Sequence, residues 1–268
     1  MDGLASLIFP VLRSMPDVSV RTPLLEAFST VNEDFVVIEN GFRTLTSREQ
    51  RPDDLRRFFA SWSQTNNSAM TVSGISNRLT LVLHREGHVQ DKLELLQTLV
   101  CLHRITDEDL AVTHRILHSQ MFHEMATGII GDDGWLMTQY IDKTAIEFKK
   151  WKDHMSLREA DLALALLTTL VHEIYTHGEV EFILPLFSKW LTDTYSFGER
   201  ERERTLRWIK VHCGGTESRH FFHAVDAMAR YERAFGIDWT QYDLASIVHS
   251  YMAKKAAVLK AAVPAGNA

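Results

Sequence analysis

The sequence predicts a single all-α domain, and three observations carry that prediction. Apolar residues recur at helical spacing along most of the 268 residues, and few windows alternate as strands do. No Pro/Gly/Ser-rich linker and no internal repeat divides the chain. With 45% hydrophobic residues the chain has enough apolar side chains to fill one large core. The expected layout is a helical extension over residues 1–50, a core bundle over 54–235 and a last helix over 240–262, roughly eight to ten helices in all.

In chain order, "DFVVIENGF" reads as a helix ended by Gly41, although Asn40-Gly41 also fits a hairpin turn. Asp53 or Asp54 is a cap for a long helix toward Leu83, and a second helix covers Val89 to Ile105. Thr106 with the three acids after it has the form of a helix start, the run extending to about Thr127. "GIIGDDG", from Gly128 to Gly134, reads as a loop, and Trp135 to His154 is amphipathic. Ser156 and Glu159 form a Ser-x-x-Glu capping box for "LREADLALALLTTLVHEIYTH", which should stop or bend at Gly178. Pro185 suits the first turn of a further helix, and Ser196 with Glu199 makes a second capping box. The final helix spans about Thr240 to Lys260, its lysines suiting the negative end of the dipole.

A net charge of −6 argues against a nucleic-acid partner. The first residues lack a basic n-region, and no apolar run is long enough for a bilayer, so neither a signal peptide nor a membrane partner is expected. Two cysteines outside any CxxC pair imply no disulfide framework, and a cytoplasmic location is the expectation. Nothing matches a phosphate loop, GxSxG, kinase or Rossmann signature.

The compositional oddity is 13 histidines, many beside carboxylates. In "HEIYTHGEVE", His172 and His177 stand five apart, roughly 140° around a helix, which excludes a zinc-protease pair. Leu162, Leu166 and Leu170 form an apolar stripe that Glu173 continues. A carboxylate there must be paired, protonated or metal-bound, unless the helix ends nearby and frees it to water. Glu181 is the reserve candidate. In "TDEDLAVTHRILHSQMFHE", His114 and His118 share a helix face behind Asp107, Glu108 and Asp109. First-turn acids and a surface histidine pair would look the same.

"VHCGGTESRH" carries His212, Glu217 and His220 around Gly214-Gly215. On one ideal helix these side chains fan apart, and removing one residue brings them within roughly 40° of a line. Either a π-bulge at the glycines achieves this, or one helix ends at Cys213 and another begins at Thr216. Mixed His/carboxylate sets on three helices suit iron or manganese better than zinc.

The pattern over about 54–235 resembles the heme-oxygenase-like diiron oxidases, an iron-containing redox enzyme family with a helical-bundle fold. "RWIKVHCGGTESRHFFHAV" is similar to their His-x-x-x-Asp-x-x-His helix, "LVHEIYTHG" to their middle Glu helix and "DEDLAVTHRILHSQMF" to their first ligand segment. The resemblance implies metal ligation by Glu108, His118, Glu173, His212, Glu217 and His220, with Asp107 and His114 competing for the first segment. It implies two iron ions, dioxygen, and oxidation of a small amino-acid-like or fatty-acid-like substrate, with a homodimer as an expectation. Glu217 replaces the usual Asp and the last set is one residue too long. The alternative is therefore a cofactor-independent enzyme or binding protein on the same fold, like the thiaminase-like and quinone-forming relatives. Should "FASWSQTNNSAM" line the pocket, Gln64, Asn67 and Ser68 are candidates to hold a polar substrate.

Overall fold

The computed structural model describes residues 3–16, 18–66, 68–85, 89–110, 112 and 116–263. Its helices are α1 (Leu4–Arg13), α2 (Arg21–Ser29), α3 (Asn32–Leu45), α4 (Pro52–Ser63), α5 (Ser68–Leu83), α6 (Lys92–Asp109) and α7 (His118–Ile130). They continue with α8 (Lys143–Asp153), α9 (Leu162–Asp193), α10 (Glu199–Thr205), α11 (Arg207–His212), α12 (Thr216–Phe235) and α13 (Leu244–Ala262). No strand occurs among the described residues, as the periodicity predicts. No helix among them is long and apolar enough to cross a membrane.

The axle of the bundle is α9, 32 residues long and buried on nearly every side. Its apolar residues go all round rather than along one stripe, which is how a core helix reads. α12 lies against both α6 and α9, while α1 and α13 also pack on α9. One continuous apolar core runs from Leu4 to Val263.

Two glycines have roles other than the predicted stops. α9 continues through Gly178, where a Cβ would come 2.5 Å from Ile8 Cγ1. The glycine admits α1 at close range. α3 likewise continues through Gly41, where a Cβ would lie 3.2 Å from Leu259 Cβ of α13. Pro185 sits inside α9 rather than opening a new helix, at the cost of one backbone hydrogen bond.

Several caps also differ from those the sequence suggests. The long helix from Asp53 is two helices, α4 and α5, parted at the polar residues Gln64 to Asn66. Pro52 opens α4, and the Asp54 carboxylate takes two hydrogen bonds from Arg51 instead of capping. Asp161, not Ser156, caps α9 by accepting from the Ala163 N–H at 2.8 Å. Ser156 lies in a π-helical turn over His154–Arg158. Gly198 rather than Ser196 precedes α10, and Ser196 is left-handed with φ 57°. The predicted 128–134 loop is shorter, because α7 reaches Ile130 and stops at left-handed Gly131.

The most consequential difference is at Thr106. Asp91 caps α6 through the N–H groups of Leu93 and Glu94, and the helix runs on to Asp109. Asp107, Glu108 and Asp109 therefore close a helix where the sequence suggests they open one. Acids at this end oppose the helix dipole, so their presence needs a compensating partner.

Candidate metal centre

Donor atoms from five helices meet in the interior in two groups. Asp109 at the end of α6, His118 at the start of α7 and His212 at the end of α11 form the first. Glu173 of α9 with Glu217 and His220 of α12 form the second. Within each group the ligand atoms lie within 4.8 Å of one another, and all six residues are buried. Glu217 joins the groups: its Oε1 is 3.7 Å from His212 Nε2 and 3.6 Å from His220 Nδ1. Glu173 Oε2 is 3.7 Å from His220 Nδ1.

The backbone explains the convergence on α11 and α12. Helix α11 ends at His212, Cys213 is extended, and Gly214 and Gly215 are left-handed with φ 65° and 95°. A side chain would strain either glycine. The Gly214 N–H donates to Glu181 Oε1 at 2.8 Å, which pins the turn to α9. There is no π-bulge here. A helix–turn–helix break supplies the missing register, and His212 leans back over Glu217 from a separate helix.

Outer partners orient His212 and Asp109. The His212 Nδ1–H donates to the Trp208 carbonyl at 2.6 Å, which turns Nε2 inward. The Ser68 hydroxyl donates to Asp109 Oδ2 at 2.9 Å and leaves Oδ1 facing His118 Nδ1 at 2.8 Å. That last contact is close but poorly aligned, and neither ring nitrogen of His118 has a hydrogen-bond partner. Glu173 Oε1 is likewise buried and unpartnered. Buried acceptors and imidazole nitrogens aimed at one another without hydrogen bonds are what a cation site requires. The residues present fit a pair of divalent ions.

The sequence-derived candidates divide accordingly. His118, Glu173, His212, Glu217 and His220 enter the two groups. Glu108 does not; its Oε2 lies 3.2 Å from His220 Nε2, on the far side of the ring from Glu173 and Glu217. Asp109, the residue passed over, stands in its place. Asp107 is exposed, Glu181 holds the glycine turn, and His114 lies outside the described residues.

Protonation differs between the groups. Burial works to raise the Asp109 carboxyl, but the His118 contact and the charges of His220 and His212 outweigh it and hold the group below the usual carboxylate range. Burial pushes His212 below the ordinary imidazole value. Burial also opposes charge on His220, but Glu217 and the Glu108 hydrogen bond prevail and raise it to about 11. Burial, reinforced by Glu217, pushes Glu173 up to about 8.

A cavity of about 530 Å³ opens onto the first group. Asp109, His118, His212 and Glu217 line its floor, and Phe122, Trp135 and Trp208 its walls. Gln64 and Ser68, named conditionally from the sequence, do line it, with Asn66, whose buried Nδ2 has no partner among the described residues; Asn67 lies outside them. His172 reaches the cavity beside the second group. It sits between buried Lys152, 3.2 Å from Nε2, and the Tyr251 hydroxyl, 2.8 Å from Nδ1. Burial pulls Lys152 down to about 7.

No protein-family model matches the chain, and no curated protein matches it. Among solved structures it is similar to a TenA homolog from Pseudomonas syringae pv. tomato str. DC3000, with a TM-score of 0.68 and 14% identity, covering 94% of each chain. The fold is thus the all-helical heme-oxygenase-like fold.

Proposed function

We propose that the protein is a non-heme diiron oxidase or oxygenase that uses dioxygen to oxidise a small substrate. One observation carries the reading: two buried His/carboxylate groups meet at Glu217, and the first of them, with Glu217, borders a cavity of substrate size. Asp109, His118 and His212 would hold one ion, Glu173 and His220 the other, with Glu217 between them. When bound, iron of this kind supplies the redox chemistry by which dioxygen is activated.

The chain's own residues do the rest. Ser68, Trp208 and Glu108 hold Asp109, His212 and His220 in their ligand orientations. Phe122, Trp135 and Trp208 give the cavity an apolar lining beside Asp109, His118 and His212. Asn66 Nδ2 offers a hydrogen bond to an acceptor on the substrate. His172, held from both sides by Lys152 and Tyr251, presents a fixed imidazole edge to the cavity.

The test is metal content after anaerobic reconstitution with ferrous iron. Close to two equivalents per chain support the reading, with His212→Ala and Glu173→Ala each losing metal while remaining folded. Full metal retention in both variants would overturn the assignment.

A second reading is a cofactor-independent enzyme or ligand-binding protein on the same helical scaffold. The likeness to a TenA homolog favours it over the first, while the donor sets favour the first. It expects no bound iron and indifference to chelators.

A further inference from the structure

A line of aromatic rings, all but Phe187 oxidisable tryptophans and a tyrosine, runs from the candidate ligand His212 to half-buried Tyr195. The Trp208 ring is 4.7 Å from His212, and Trp62 is 5.3 Å from Trp208. Phe187 then stands between Trp62 and Trp190, at 6.0 and 5.6 Å. Tyr195 follows at 5.2 Å and is half-buried. The three tryptophans are buried. Electron tunnelling falls steeply with distance, so short steps between oxidisable rings carry charge far better than one long jump.

The polar atoms along the line suit it to one-electron oxidation. Trp62 Nε1–H donates to Glu179 Oε1 at 2.7 Å, a buried carboxylate ion-paired with Lys255 at 3.0 Å. A carboxylate in that place stabilises an oxidised indole and accepts its proton. Trp190 Nε1–H donates to the Arg48 carbonyl at 2.8 Å, which takes no proton, so Trp190 passes electrons alone. The Tyr195 hydroxyl accepts from the Gln50 N–H at 3.4 Å.

We propose that Trp208, Trp62, Trp190 and Tyr195 form a hole-transfer route that drains oxidising equivalents from the His212 side of the centre to the surface when no substrate is bound. The source of those equivalents rests on the oxidase reading; the route itself does not. One electron leaves Trp208 toward His212 and is replaced from Trp62. The Trp62 indole proton shifts to Glu179 and returns when Trp190 supplies its electron. Tyr195 then re-reduces Trp190 and releases its phenolic proton to water. A soluble hydrogen-atom donor of the thiol or ascorbate class restores Tyr195. In sum, one electron reaches the site, the donor loses one hydrogen atom, and water gains one proton.

The test uses the full chain in two arms. In the first, metal-free protein carries a ruthenium-bipyridine photo-oxidant at Ser119→Cys, on the exposed edge of the cavity, with Cys101→Ser and Cys213→Ser. A flash with an electron-accepting quencher should give a tyrosyl radical by transient absorption and electron paramagnetic resonance. Tyr195→Phe should abolish it and leave a tryptophan radical, and Trp190→Phe should abolish it as well. A tyrosyl signal that survives both changes, or a radical confined to Trp135 on the branch through Phe122, overturns the route. In the second arm, iron-loaded protein with these native side chains meets dioxygen without substrate. Signal in the first arm with none in the second leaves the route standing and removes the oxidase as its source.

Discussion

Binding of the second metal ion should strengthen steeply with pH, because Glu173 and His220 hold protons that the ion must displace. Glu173 is raised to about 8 and His220 to about 11, whereas Asp109 and His212 are both held below their ordinary values. An ion entering at Glu173, Glu217 and His220 must expel the Glu173 proton and the His220 Nδ1 proton. At pH 7 that is about two protons per ion, and at pH 9 about one, since Glu173 has then already ionised. Affinity for the second ion therefore rises roughly a hundredfold per pH unit below about 8 and roughly tenfold above it. Anaerobic titration with ferrous or manganous ion in weakly buffered solution, with a pH indicator, reads both quantities. Two phases are expected, the second one releasing the protons. A single phase with pH-independent affinity refutes the protonation account.

The same shifts set the stability of the metal-free chain. Both native pKa values lie above their unfolded values, so the native state binds more protons. Stability is fully present below about 4.5 for Glu173 and below about 6.5 for His220, and it falls as pH rises toward about 8 and about 11 respectively. The metal-free thermal midpoint should decline from pH 6 to 9, and Glu173→Gln should flatten that decline while removing metal-induced stabilisation. Glu217→Ala should reduce bound iron below the level of Asp109→Asn, since Glu217 borders both groups; equal losses by elemental analysis would contradict the sharing. Gly178→Ala forces a Cβ to 2.5 Å from Ile8 and should cost about 1–3 kcal/mol, read as a lower thermal midpoint. Lys255→Met removes the buried partner of Glu179 and should cost about 3–5 kcal/mol in chemical denaturation; a neutral result would contradict a stabilising Lys255–Glu179 pair.

The all-α architecture was legible because helical periodicity persists wherever a helix has one dry face. Its boundaries were less so. Gly41 and Gly178 carry the mark of helix ends, yet each sits mid-helix to admit a neighbour, and a neighbour is a tertiary fact. Glu173 was legible as a carboxylate on an apolar stripe, and His118, His212 and His220 as histidines spaced beside carboxylates. Asp109 was missed because Thr106 and three acids imitate a helix start. The stripe of α6 through Leu95, Leu102 and Asp109 places that aspartate inward once the helix is followed to its end. The acids' poor fit to the dipole at that end is the local conflict that marks functional positions. At Gly214-Gly215 the need for a register change was legible, but a bulge and a turn both supply it. Only the left-handed backbone and the Glu181 anchor distinguish them.

Anomalous scattering at the iron edge, from crystals grown with ferrous iron, tests the central claim most directly. Two peaks are expected, one among Asp109, His118 and His212 and one among Glu173, Glu217 and His220. A map with no peak at either place, from protein exposed to excess iron above pH 8, would contradict the account and leave the heme-oxygenase-like scaffold to a metal-free function.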